Sequence, residues 1–205
     1  MHYLIAMCWI IAVFALADVR LSSALGDTNA DPDNTKLTIE TLRFFDWEVA
    51  VSSKEEAKKS CHLQMTGVSA HRIFLSMRLS VVKESPAASD QNALTIIKIT
   101  AAQIRKEDLS DAVSIELTDA WLETSTVTTL GEVKKIDTGS DPHFLGGVKG
   151  TGLFNTLLRG MRKDGLMIGY RSTPMRRAKI FQVQGPPPEL FEQLRSCLAK
   201  SAAIF

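Results

Sequence analysis

The chain has 205 residues, 45% of them hydrophobic and 23% charged, with a formal net charge of +1. That is the composition of one globular domain, and it excludes a disordered, collagenous or uniformly basic nucleic-acid-binding chain. Three cysteines are too few for a disulfide-dense mini-scaffold, and no Cys/His spacing matches a zinc finger or ribbon.

Leu4–Ala17 (LIAMCWIIAVFALA) is an uncharged apolar run. It falls short of the roughly 20 residues a membrane-spanning helix needs and fits the h-region of a secretory signal peptide. Small residues recur at Ala15/Ala17 and Ser22/Ala24, and the second pair leaves a polar spacer, so cleavage is expected after Ala24. An uncleaved anchor is the alternative, because Met1-His2-Tyr3 carries no Lys or Arg. Residues 1–24 are thus expected to be a signal peptide, 25–40 a flexible polar leader and 41–205 a single domain in the periplasm or outside the cell. Cleavage removes Cys8 and leaves Cys61 and Cys197. In an oxidising compartment such a pair reads as a disulfide, with two buried free thiols as the alternative.

From Phe44 the pattern is strand-like: Phe45, Trp47, Val49 and Val51 alternate with polar or small residues. Cys61, Leu63 and Met65 mark a second strand expected to stop at Gly67. Ile73, Leu75, Met77, Leu79 and Val81 make the longest clean alternation. Ala93–Ala101 is β-branched and apolar, a central strand whose period slips at Ile96-Ile97, the mark of a bulge or of burial on both faces. Val113, Ile115 and Leu117 give another strand. Trp121–Leu130 and Glu132–Ile136 are expected to pair across Gly131.

After Gly152 the period becomes helical. Leu153, Phe154, Leu157, Leu158 and Met161 predict a helix over Gly152–Lys163 that ends at Gly165. Leu166–Arg171 and Lys179–Val183 read as strands. Pro186–Pro188 then introduce a last helix with Leu190, Phe191, Leu194, Cys197 and Leu198 on one face. The fold class read from the residues is mainly all-β, a sandwich or barrel, with two short helices in the C-terminal third.

The Trp47-Glu48-Val49 strand, the Cys61-His62-Leu63-Gln64 strand, the helix-then-strand of Gly152–Tyr170 and the Gly185–Cys197 ending carry a resemblance. Over most of residues 44–198 the chain resembles the invasion-associated locus B family of exported bacterial proteins. The resemblance implies an immunoglobulin-like β-sandwich in the periplasm or at the outer membrane, with a virulence-related role near the host interface and no catalytic residues. Family members often carry a locally pairing Cys after the first strand. Here Val51-Ser52-Ser53 has none, which leaves Cys61 to pair with Cys197 or stay free.

Charge is unevenly distributed. Lys149, Arg159, Arg162, Lys163, Arg171, Arg176, Arg177 and Lys179 stand against a single acid, Asp164, whereas 25–141 holds 13 basic and 19 acidic residues. The basic stretch reads as a face for a partner at the envelope or host interface, or for an anionic lipid or glycan. The alternative is a solvated face that pairs with the acidic half. Nucleic acid is not expected, because aromatics for stacking are few. Gly146–Gly152 lacks the Walker and dinucleotide patterns and reads as a flexible connection from sheet to helix, with an anion held by backbone N–H groups at the helix N-terminus as the alternative. His62, His71 and His143 do not have the spacing of a zinc site, although His62 and His71 are expected on adjacent strands, within reach of each other. No Gly-x-Ser-x-Gly elbow is present. The expectation is a non-enzymatic binding protein without cofactor. An enzyme with a dispersed site and an envelope chaperone are the alternatives.

Overall fold

The computed structural model describes residues 38–53, 59–82, 92–105, 111–136, 142–173 and 178–202. The signal segment, most of the leader, and Arg176 and Arg177 lie outside them. The described chain is mostly β with two helices in its C-terminal third, as the periodicity predicts. The strands are β1 (Thr38–Ser53), β2 (Lys59–Ser69), β3 (Ile73–Val82), β4 (Leu94–Ile104), β5 (Ala112–Ile115), β6 (Leu117–Glu123), β7 (Lys134–Lys135) and β8 (Phe144–Lys149). After them come α1 (Gly152–Asp164), β9 (Leu166–Ser172), β10 (Lys179–Val183) and α2 (Pro188–Ala202).

All of the strands belong to one sheet, ordered β6-β9-β10-β1-β2-β3-β4-β8-β7, with β5 also paired to β4. Only Glu116 separates β5, on β4, from β6, on β9, so the path returns on itself as a nearly closed barrel. Every pairing is antiparallel except β1 with β10.

The period-two pattern dictates the barrel's interior. Cys61, Leu63 and Met65 of β2 and Ile73, Leu75, Met77 and Leu79 of β3 are essentially inaccessible. Ile97, Ile99, Phe144, Ile168, Phe181 and Val183 complete the core with Phe154, Leu157 and Met161 of α1 and Leu194 of α2. Each such side chain contributes about 1.5–3 kcal/mol on leaving water. The expected α1 face is the one that packs, and its chain turns at Gly165, where φ is +81°. The expected α2 face packs as well, and Cys197 on it is bonded to Cys61, with Cα atoms 5.9 Å apart.

Four local expectations change. The second strand runs through Gly67 to Ser69. Gly67 is there because a Cβ would lie 2.6 Å from Leu42, beside the irregularity that β1 carries between Leu42 and Phe44. The β3–β4 register is continuous through Ile96-Ile97, so the slip there is not a bulge. The strands flanking Gly131 do not pair with each other: a tight turn forms at Gly131, and β7 pairs with β8 instead. Gly146 and Gly147 belong to strand β8, where Gly146 makes room for Val133 and the Phe144 ring.

Candidate functional site

β1 changes partners along its length. Thr38–Thr41 pair with Lys179–Gln182 of β10, and from Leu42 to Ser53 the strand pairs with β2 on its other side. Past Val183 the chain leaves the sheet, and the barrel wall parts between β1 and the Gln184–Pro188 segment. The indole Nε1 of Trp47 donates to the Gln184 carbonyl at 3.0 Å across this parting.

A cleft of about 630 Å³ opens there. Phe45, Asp46 and Trp47 form one side, Pro186, Pro187 and Pro188 another, and Met161–Gly165 at the end of α1 a third. The proline run fixes its backbone dihedrals and so gives a stiff wall. Gly185 is needed beneath it, since a Cβ would fall 2.0 Å from the Met161 carbonyl oxygen.

The charges of the cleft are unequal in availability. The Asp164 carboxylate accepts a hydrogen bond from the Ser125 hydroxyl, and Asp46 accepts one from the Trp47 backbone N–H. Lys163 reaches Asp164 only at 4.0 Å, and Arg162 has no ion pair among the described residues. Both cations are exposed in the last turn of α1, where the helix dipole favours positive charge.

The predicted basic residues therefore divide. Arg159, Arg162 and Lys163 share α1 and are exposed, and the last two line the cleft. Lys149 is exposed at the end of β8. Arg171 is engaged by Asp119 at 3.0 Å and lies 5.5 Å over the Trp121 ring. Lys179 faces Glu40 at 3.6 Å. The structure brings two of the eight to the cleft and commits two others to acids.

Lys179 belongs to a second cluster, where β1 and β10 pair. The Glu40 carboxylate is nine-tenths buried between Lys179 and His71, whose Nδ1 is 3.2 Å from Oε2. The Tyr170 hydroxyl is buried and has no hydrogen-bond partner among the described residues. Burial and the Glu40 charge push this phenol well above its ordinary range. His71 sits on a tightly built β2–β3 turn. Ser69 Oγ accepts from the backbone of His71 and Ile73, Gln103 donates to the carbonyls of His71 and Arg72, and Arg72 adopts φ +58°.

His62 and His71 do not meet. His62 is paired with Ser80 within the β2–β3 ladder, whereas His71 lies at the turn on the far end of the hairpin. His62 is 2% exposed, and its Nε2 has no hydrogen-bond partner among the described residues. Burial, with Arg78 adding to it and a hydrogen bond to the Ser60 backbone opposing, holds its imidazole below the ordinary 6.5. His143 is half-buried beside β8. Among the described residues no three His, Cys, Asp or Glu side chains gather as a metal would require. No helix among them is long and apolar enough to cross a membrane.

The Glu40 cluster was missed in the sequence because its burial follows from the long-range β1–β10 pairing. The cleft was missed because its walls lie far apart in the chain. Pro186–Pro188 was the one local signal for it, read only as a helix start.

Comparison with family models, with curated proteins and with solved structures finds no match. The family resemblance rests on the residues quoted above.

Proposed function

We propose that this chain is an exported envelope protein, akin to the invasion-associated locus B family, that binds a partner protein of the envelope or host interface without catalysing a reaction. The observation that carries the reading is the cleft. It sets two exposed cations, Arg162 and Lys163, beside an aromatic and proline wall; Arg162 has no ion pair among the described residues, and Lys163 meets Asp164 only at 4.0 Å. Such a site holds an anionic group through charge and an apolar group through contact, and salt weakens the first component. The Cys61–Cys197 bond supports export, because structural disulfides persist in oxidising compartments. In this reading the barrel is flattened. Its β6-β9-β10 half and its β2-β3-β4 half face each other as the sheets of an immunoglobulin-like sandwich, with β1 shared between them.

Two measurements test the reading. Intact mass of the protein from its native envelope fraction, with and without reduction, is expected to show loss of residues 1–24 and two thiols only after reduction. Retention on that fraction is expected to fall with salt and in the Arg162→Glu/Lys163→Glu double variant. Full-length mass with free thiols, or retention unchanged by the double variant, overturns it. Retention transferred intact to protein-free anionic vesicles would replace the protein partner by lipid.

A second reading, an enzyme, is favoured by the Glu40–His71 pair. Glu40 Oε2, buried and without a hydrogen bond among the described residues, lies 3.2 Å from Nδ1 of the exposed His71, and a carboxylate beside an imidazole is the pair a general base uses. Ester hydrolysis that disappears in both His71→Asn and Glu40→Gln would support it. Hydrolysis indifferent to both sets it aside.

A further inference from the structure

The ladder leaves one long edge open beside the cleft. β1 has β10 on one side only as far as Thr41, and β2 on the other side from Leu42 onward. On the β10 side, Leu42–Ser53 has no strand partner among the described residues. The side chains of this stretch are exposed to an unusual degree for a sheet strand: Phe44 76%, Val51 55% and Phe45 38%. An exposed edge offers backbone N–H and C=O groups to another extended chain in register; here the Trp47 N–H is already taken by the Asp46 carboxylate.

We infer that this edge and the cleft together accept an extended peptide segment of a partner protein. The segment adds as a strand in line with β10 and places a carboxylate between apolar residues on its cleft-facing side. The inference rests on the partner-binding reading above and names the chemistry of the partner.

Three observations specify the occupant. Backbone complementarity calls for a β-strand, because the edge offers a ladder rather than a pocket for one group. On the cleft side, Phe45 and the proline wall take apolar side chains, and Arg162 and Lys163 take a carboxylate. On the opposite face of β1, alternation places Phe44, Asp46 and Glu48; the latter two are exposed acids, and Asp46 is also among the residues that line the cleft. Acidic side chains on that side of an incoming strand are repelled, so its outward residues are neutral or basic. The same two acids disfavour a second copy of this chain as occupant. Two β1 edges laid antiparallel would bring Asp46 and Glu48 of each copy together. Charged edges of this kind are how sheet proteins limit pairing with themselves while remaining open to a chosen partner. The Trp47 indole, bonded to the Gln184 carbonyl, links the two walls at this point.

The experiment uses the mature oxidised protein and a fluorescein-labelled heptapeptide, Thr-Val-Thr-Glu-Thr-Val-Thr, followed by fluorescence anisotropy. Val and Glu share one face of this strand, and Thr occupies the other. The peptide is expected to bind. Replacing its Glu by Lys, or making the Arg162→Glu/Lys163→Glu protein, is expected to weaken binding by about tenfold or more. Methylating the peptide's amide nitrogens on alternate residues leaves every side chain in place and removes ladder donors. One of the two alternate sets is expected to abolish binding and the other to leave it nearly intact. Equal binding by both methylated peptides overturns strand addition, as does indifference to the Glu→Lys change. If no peptide binds while the double variant still loses envelope retention, the strand inference falls and the cleft reading stands. If retention is also unchanged, both fall. A concentration-dependent dimer in sedimentation that competes with the peptide would make a second copy the occupant and overturn the partner assignment.

Discussion

Trp47 and Gln184 are 137 residues apart in sequence and are joined by a single indole-to-carbonyl hydrogen bond of 3.0 Å. The indole is also almost wholly buried against the core, so one residue packs the barrel and spans its parting. Trp47→Phe keeps most of the apolar contact and removes the donor. It is expected to lower stability by about 1–2 kcal/mol, the cost of the bond and of a carbonyl left to water. Trp47→Ala, which also opens a cavity, is expected to cost about 3–5 kcal/mol. Urea denaturation followed by far-ultraviolet circular dichroism measures both.

The Cys61–Cys197 bridge spans 136 residues and fastens the half-buried face of α2 to β2. Closing a loop of that length constrains the unfolded chain by about 5 kcal/mol on the chain-entropy account. Cys197→Ser is expected to lose a large part of this and to become insensitive to reductant. The wild type is expected to fall to the same midpoint when reduced. Identical melting of the oxidised wild type and the serine variant would remove the bridge from the stability argument.

His62 makes stability depend on mild acid. Its folded-state value lies below the ordinary 6.5, so the unfolded chain takes up a proton first as pH falls. The contribution is present above pH 6.5 and is lost as pH drops towards the folded value, by at most about 1.4 kcal/mol per pH unit. Urea midpoints measured at a series of pH values are expected to decline over that window. His62→Gln is expected to flatten the decline.

Tyr170 works in the opposite direction. Its folded phenol is held above its ordinary value, so the unfolded chain ionises first and stability falls as pH rises past about 10. Its hydroxyl is also buried without a partner, while its ring stacks on Phe181 at 5.9 Å. Tyr170→Phe keeps the stacking and removes the unsatisfied group. The expected result is a change between zero and about 1 kcal/mol of added stability at neutral pH, with the alkaline loss abolished. A loss of several kcal/mol would mean that the hydroxyl has a partner.

What could be read from the sequence was local. Ile73–Val81 could be read because five apolar residues at period two leave one register for burial, and the α1 and α2 faces because helical spacing groups their apolar residues. Cys197 on the buried face of α2 had only one cysteine to meet once Cys8 was set aside. The residues left sandwich and barrel open, and nothing local distinguishes them, since closure depends on how β5 continues into β6. Strand β8 was hidden because Gly146 and Gly147 have low strand propensity in isolation, and Gly146 is there to make room for Val133 and the Phe144 ring. The cleft residues Arg162 and Lys163 were singled out by charge alone. Their separation from Arg171 and Lys179 comes from acids on other strands, Asp119 and Glu40, which no spacing rule connects to them.

The parallel pairing of Thr38–Thr41 with Lys179–Gln182 has a consequence for the timing of folding. The first strand of the barrel has to wait for the last before its opening residues find a partner. An N-terminal fragment that stops short of Lys179 lacks this partner, so the barrel cannot close until the chain has emerged as far as β10. Contacts of such long sequence separation also form slowly. The Cys61–Cys197 bond, which joins another early strand to the helix that follows β10, then fixes that late closure covalently.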